Sequence, residues 1–428
     1  MQLKKFIYAI ILGIALSGCN ESFSGLDYIK PVDPDNPPSE ITTDRVPIMT
    51  AVHDPFYMTV SRGFGALEDA NWQKERATFY VYAFLANNYK YKGAVDYTAK
   101  YVAESANQTQ PMYCLVDGKD GKGAPTYIHE NNMLAFRENS DYFYSQNFQD
   151  YKYNFFTYYI DNAKVKGNKP VREQDRIYMD IKIDGTQDII SGIARPTQKQ
   201  MDECSQNFGA EEDKWFLSNI LNGELLYSTM SGHRKFFPVF DVKHEFSYFT
   251  FNMRGDAAMS VPIRIKDIYI KAHTDWRFTV AADNLDEVGI ALPEGTTEKL
   301  EDLHLCPEVE PGVSLDGTKN WMENAEVFLT KDDTEFRPIG SGMLLPPRDR
   351  YDLYIVCESE TKDGKTRSYK ARYNLELEDG QTFEPGTRYN ISMHVYGYQQ
   401  IDMYLGSMKW KLASEIIIDE DDILDIEE

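Results

Sequence analysis

Cations are scarce in this chain. Lys and Arg number 45 against 68 Asp and Glu, a formal net charge of −23 over 428 residues. Phosphate backbones are held by clustered Lys and Arg, so this balance excludes nucleic acid as a partner. Cysteine is also sparse. Five are present and no two form a CxxC pair, which argues against a zinc site. None of the seven histidines belongs to an HExxH motif. His129-Glu130 and His244-Glu245 begin that pattern, but neither has the second His. No GxSxG elbow, Walker loop or GxGxxG is found. An enzyme is thus the least supported class, although so many acids would hide a carboxylate pair. The sequence asks for no metal and no cofactor. Asp117-Gly118-Lys119-Asp120-Gly121-Lys122-Gly123 has acids at some calcium-loop places, but lysines lie beside them and the closing Glu is missing. It reads as a polar turn.

Long apolar runs are missing except at the start. Lys4-Lys5 precedes residues 6–16 (FIYAIILGIAL), and a helix of that length spans about 16 Å. The hydrocarbon core is about 30 Å thick, so the run reads as a signal-peptide core, not a span. It ends in Leu16-Ser17-Gly18-Cys19, small residues before a cysteine that resemble the bacterial lipobox. That resemblance implies a signal peptide over residues 1–18 and lipid on Cys19. Several acyl chains on one residue give a stable anchor, since each buried CH₂ adds about 0.8 kcal/mol. Residues 19–44, with Pro31, Pro34, Pro37 and Pro38 among polar residues, read as the lipidated cysteine and a semi-extended tether. Cys114, Cys204, Cys306 and Cys357 lie in a disulfide-permitting compartment, and their pairing stays open.

From Val46 onward the strand pattern dominates. The chain has 29 Tyr and 23 Phe, which suit half-buried pleated strands. Residues 77–85 (ATFYVYAFL) and 153–160 (YNFFTYYI) are β-branched and aromatic, and residues 177–184 alternate apolar with polar. Residues 242–253 and 261–272 read as two strands of a hairpin turning at Arg254-Gly255-Asp256. Residues 351–358 and 366–376 read as another, around Lys362-Asp363-Gly364-Lys365. Residues 389–396 and 401–411 finish the series, and residues 211–221 read as a single helix. The expected class is mostly β, with Greek-key sandwiches and few short helices. Residues 45–285 form an N-terminal domain and residues 286–428 a C-terminal domain with an acidic tail.

Several stretches, taken in order, resemble the fimbrillin-like family of the Bacteroidales, the type V pilins and related surface lipoproteins. They are the lipobox at Cys19, Arg45-Val46-Pro47-Ile48, residues 77–84 and 153–159, Asp188-Ile189-Ile190-Ser191-Gly192, and residues 242–246 with 249–251. Leu344-Leu345-Pro346, residues 383–391 (FEPGTRYNI) and Trp410 complete the set. The resemblance implies two transthyretin-like β-sandwich domains and a lipidated precursor at the outer membrane surface. It also implies cleavage by an Arg-specific protease that removes a first strand, and filling of the groove by the C-terminal strand of another subunit. Arg45-Val46 and Arg62-Gly63 are the candidate cuts. Met403, Leu405, Trp410, Ile416 and Ile418 are the candidate donor-strand residues. The implied partners are other pilus subunits, the outer membrane through lipid, and a host or bacterial surface receptor. The competing reading is a lipid-anchored module that binds a glycan or protein through exposed rings such as Trp72 or Trp321 and does not polymerise.

Replacing the lipidated thiol tests the anchor. Cys19→Ser should abolish incorporation of labelled palmitate and move the protein out of the membrane fraction, with both followed in cells expressing the full chain.

Overall fold

A computed structural model describes residues 46, 48–52, 78–85, 114–118, 121–128, 133–137, 142–144, 153–160, 164–165, 169–173, 175–196, 202, 227–228, 231–232, 236–296, 300–305, 327–360, 364–377, 380–397, 400–409, 412–417 and 423–424. Most of the described residues are in strands, and the strands fall into four sheets. Strands are numbered along the chain. The first sheet runs β3 (Cys114–Val116), β2 (Phe79–Leu85), β4 (Ala124–Ile128), β5 (Met133–Phe136), β1 (Thr50–Val52), β11 (Val239–His244), β10 (Ile189–Ala194) and β6 (Tyr153–Ile160). The second runs β15 (Gly289–Ala291), β14 (Asp275–Ala282), β9 (Arg176–Lys182) and β7 (Lys164–Val165), with β8 (Val171–Arg172) also on β9. The third runs β18 (Arg337–Leu345), β12 (Ser247–Gly255), β21 (Thr387–Gly397), β22 (Gln400–Lys409) and β23 (Leu412–Ile417). The fourth runs β16 (Glu301–His304), β13 (Ile263–Ala272), β19 (Arg350–Glu360), β20 (Thr366–Glu376) and β24 (Ile423–Leu424), with β17 (Val327–Leu329) also on β13.

The first sheet closes on itself. β2 pairs with β6 as well as β4, so β2, β4, β5, β1, β11, β10 and β6 form a ring. This explains the unbroken apolar runs of β2 and β6. Phe79, Val81 and Ala83 of β2 and Tyr153, Phe155 and Tyr159 of β6 fill the inside of the ring. Tyr82, Phe84, Phe156 and Tyr158 point the other way, against Ile177, Met179 and Ile181 of β9 and Phe278 and Val280 of β14. With both faces covered, neither strand has a solvent side to make polar. β19 is different. Tyr351, Leu353, Ile355 and Cys357 are buried, while Asp352, Tyr354, Val356 and Glu358 are half-buried on the outer face.

The third and fourth sheets share one core. At its centre Phe249, Tyr351, Phe383 and Tyr389 pack ring to ring, with centroids 4.8–5.7 Å apart across five contacts, in the edge-to-face and offset geometries that aromatic quadrupoles favour. The expected hairpin of β19 and β20 is present in full register from Arg350↔Glu376 to Glu360↔Thr366.

Two sequence expectations are corrected. Residues 242–253 are not one strand: β11 belongs to the first sheet and β12 to the third, and the chain passes between them at Glu245-Phe246. Arg254-Gly255-Asp256 does not turn a hairpin either, because β12 pairs with β18 and β21 while β13 pairs with β16, β17 and β19. The segment starts a crossing from the third sheet to the fourth. Alternation along a strand is the same whether the next strand lies beside it or in the facing sheet, so the pattern was blind to this choice. After β13 the chain returns to lay β14 and β15 in the second sheet, and residue 285 falls in the short 3-10 turn between those two strands.

The junction between the two halves is polar and buried. Ile183, Asp184, Gly185, Thr186, Gln187 and Asp188, linking β9 to β10, are all buried. Asp184 accepts hydrogen bonds from Thr186 N (3.1 Å) and Thr186 Oγ1 (2.6 Å), and Gln187 Oε1 accepts from Asp184 N (2.8 Å). Gly185, at φ +87, puts its carbonyl on Leu344 N at 2.8 Å. Ile183 N donates to Thr274 O at 2.8 Å. Asp188 Oδ1 and His244 Nδ1 lie 2.9 Å apart, both buried, which gives His244 a structural partner.

Cys357 is free and buried, and burial pushes its thiol up to about 12. It should resist alkylation in the native protein and react fully once unfolded, read by mass shift. Phe383→Ala should lower stability by about 3–5 kcal/mol in denaturant titration, because it empties the centre of the aromatic cluster.

Candidate functional site

The first described segment, residues 46–52, crosses the ring. Its burial alternates: Val46, Ile48, Thr50 and Val52 are buried, while Met49 and Ala51 are half-buried. β1 runs parallel to β11, with Ala51 opposite Val239 and Val52 opposite Phe240. It runs antiparallel to β5, with Thr50 opposite Leu134. Ahead of β1, Ile48 N donates to Tyr142 O at 2.8 Å and Tyr144 N donates to Val46 O at 3.0 Å. The segment is therefore an inner strand of a closed sheet.

The trough under it is built by side chains of the ring interior. Val46, Ile48 and Val52 share one core with Leu134, Tyr144, Tyr227, Phe236 and Phe240. A serine-rich turn shapes one end: Ser231 Oγ donates to Ser228 O at 2.9 Å, Ser228 N donates to Ser231 Oγ at 2.8 Å, and Gly232 N donates to Ser228 O at 3.0 Å. The turn brings Gly232 so close that a Cβ there would sit 2.5 Å from Val46 Cγ1 and 3.0 Å from Tyr144 Cε2. A glycine is required by this contact, and Val46 occupies the notch it leaves. Near the middle, fully buried Thr50 donates its hydroxyl to Leu134 O at 3.4 Å. Burial holds the Tyr144 hydroxyl well above the usual phenol range; nearby Tyr227 adds to this and a hydrogen bond with Ser231 opposes it. Burial does the same to Tyr227. Among the described residues the site consists of the two flanking strands β5 and β11, a row of apolar seats that hold Val46, Ile48 and Val52, and one seat that holds the Thr50 hydroxyl.

The predicted site residues are distributed unevenly. Val46 lies in the trough. Met403 is buried in the core of the third and fourth sheets, on β22, and Leu405 follows it on β22, opposite Ile391 and Ile416. β22 is thus an inner strand of its own sheet. Ile416 lies on β23, which among the described residues is an edge strand paired with β22. Cys19, Arg45, Arg62, Gly63, Trp410 and Ile418 lie outside the described residues, as do the tether, residues 211–221, Trp72, Trp321, Cys204 and Cys306. Gly232 and the Thr50 hydroxyl were not foreseen. Thr50 belongs to a visible alternation, but nothing in the sequence separates Gly232 from any loop glycine.

Two other motifs are occupied with structural contacts. The glycine-rich turn at 117–123 is clamped: Asp117 pairs with Arg172, Gly121 O accepts from Tyr82 Oη (2.9 Å) and Arg172 Nη2 (3.0 Å), and Lys122 O accepts from Tyr158 Oη (2.7 Å). In Arg254-Gly255-Asp256 both charged ends meet one imidazole, Arg254 Nη2 at 3.0 Å from His394 Nδ1 and His394 Nε2 at 3.1 Å from Asp256 Oδ2.

No protein-family model matches the chain, and no curated protein matches it. Among solved structures it is similar to a fimbrial protein from Bacteroides vulgatus, at 11% identity and TM-score 0.44, covering 86% of this chain and 100% of that one. A proposed cell adhesion protein from Bacteroides uniformis matches at 10% identity and TM-score 0.41, covering 87% and 100%. The fimbrial anchor protein Mfa2 from Porphyromonas gingivalis matches at 9% identity and TM-score 0.30, covering 86% and 99%. Likenesses of this size decide nothing about activity.

Proposed function

We propose that this chain is a fimbrillin-like surface lipoprotein, a structural or accessory subunit of a type V pilus assembled by donor-strand exchange and serving adhesion. Lipid on Cys19 delivers it to the outer membrane. Its partners are other pilus subunits and a surface receptor, and it has no catalytic role. The observation that supports this reading is the place of β1. A short strand next to the tether fills an inner position of a closed sheet, held by side-chain seats and a handful of backbone bonds. Removing it leaves β5 and β11 with unpaired edges along an apolar trough. Each aliphatic side chain reburied there is worth about 1.5–3 kcal/mol, and the backbone bonds set the register. A strand from another subunit supplies both.

The geometry favours one of the two arginines. A cut after Arg45 leaves Val46, Ile48, Thr50 and Val52 joined to the body. A cut after Arg62 lies beyond β1 and before β2, so it frees the whole plugging segment.

The N-terminus and mass of the protein taken from its own cell surface test this. The expected form starts at Gly63, has lost its lipid and runs as heat-sensitive ladders on gels. Arg62→Ala should abolish the ladders, and Arg45→Ala should leave them. A monomer that keeps acylated Cys19 would rule out the stalk-subunit reading.

A further inference from the structure

We infer that the outer face of the third sheet, a strip of amides and hydroxyls along β12 and β21, binds a neutral glycan. This rests on the adhesion part of the reading above, to whose receptor it gives a chemistry, and it uses no part of the β1 trough.

The strip is set by register. β12 and β21 run parallel, with Thr250 opposite Asn390, Asn252 opposite Ser392 and Arg254 opposite His394. Phe249, Phe251, Met253, Tyr389, Ile391 and Met393 alternate with these residues and fill the core, so the first set faces outward. Thr250, Asn252, Asn390 and Ser392 are half-buried. The Asn390 side-chain carbonyl accepts from Thr250 Oγ1 at 3.2 Å and from Asn252 Nδ2. Those two donors use both of its lone pairs. The Asn390 NH₂, the Asn252 side-chain oxygen and the Ser392 hydroxyl are left over, and none has a partner among the described residues. A donor, an acceptor and a hydroxyl thus stand open on strands about 4.8 Å apart, two of them held in place by the bonds beneath. Next to Asn390 on β22 comes Gly406, with no side chain to cover the amide. Glycine inside a strand is common where a ligand approaches the backbone closely.

The charge pattern selects the ligand. The outer face of the fourth sheet is laced with ion pairs: Lys271–Asp302 at 3.5 Å, Arg372–Asp352 at 3.0 Å and Lys266–Glu358 at 3.8 Å. Thr250, Asn252, Asn390 and Ser392 include no ionisable group, in a chain of which 26% is charged. The cations at the two ends of the strip are turned to rings. Arg388 lies over Tyr248 (5.7 Å), and Arg254 lies over Phe336 (4.7 Å) while bonded to His394. An anionic ligand finds these cations engaged, and an apolar one would bury amides without partners. Sugar hydroxyls donate and accept at once. A vicinal pair takes a hydrogen from Asn390 Nδ2 and gives one to Asn252 Oδ1. Phe336, 41% exposed at the Arg254 end, offers an apolar edge to the C–H side of a sugar ring.

The test applies the full chain to an array of neutral oligosaccharides of hexose and N-acetylhexosamine, with sialylated and sulfated oligosaccharides beside them. Neutral members should be retained, equally at low and high salt, because no ion pair holds them. Asn390→Asp decides the site. It keeps the oxygen that Thr250 and Asn252 bond, so the melting temperature should hold, but it exchanges the open donor for a second acceptor. Affinity for a retained oligosaccharide should fall at least about tenfold, since a sugar hydroxyl loses its partner. Asn252→Ala, which removes the acceptor, should weaken binding in the same direction. Retention of no neutral member, retention of acidic members alone, or undiminished binding by Asn390→Asp would overturn the inference and leave the pilus reading standing. Loss of pilus ladders in Asn390→Asp cells, with no glycan bound by the parent chain, would also overturn it and make the strip a subunit contact. Glycan binding by a chain that stays an acylated monomer would uphold this inference and end the stalk-subunit reading.

Discussion

Unpaired strand edges organise this molecule. A backbone N–H or C=O taken out of water must find a partner, and a sheet with a buried edge fails that requirement along its whole length. The first sheet meets it by closing into a ring, with β2 bonded to both β4 and β6. Closure covers both faces of the aromatic strands β2 and β6 and gives β1 an inner position despite its length. The third and fourth sheets stay open, and the last described strands of the chain, β23 on β22 and β24 on β20, form one edge of each. The edge requirement thus accounts for the ring and for the buried position of the first strand.

The buried loop at 183–188 does comparable work between the halves. The Asp184 carboxylate accepts from the Thr186 amide and hydroxyl, and the Gln187 side-chain oxygen accepts from Asp184 N, so these groups enter the interior already paired. What it offers outward is backbone, and that backbone bonds to Thr274 and Leu344. The Asp188–His244 pair completes the same seam from the end of β11. A loop of this kind costs little to bury, and beside it Tyr248 of β12 and Leu344 of β18 belong to the same buried cluster as Ile181 of β9 and Phe278 of β14.

Much of the fold could be read from the sequence where covering was one-sided or two-sided in a simple way. The alternation of β19 and the Asp-Gly turn after it predicted the β19–β20 ladder. The unbroken runs of β2 and β6 predicted strands, though not that a ring encloses them. Which strand neighbours which was hidden, and the break at Glu245-Phe246 and the crossing after Gly255 went unseen for that reason: local patterning reports burial, not partners. The candidate site was half legible. Val46 was marked by its place after an arginine, while Thr50 was not singled out. The notch at Gly232 depends on a contact between residues far apart in the chain, and no local signal records it.

The order in which the strands are laid down has a consequence for how such a protein comes into being. The chain enters the third sheet at β12, visits the fourth at β13, and only then returns to finish the second with β14 and β15. A nascent chain emerging from its N-terminus cannot complete its first half until the second has been started. Neither half can be lifted out as a contiguous cassette and spliced elsewhere. Recombination can exchange loops, but the interleaved strands must be inherited whole.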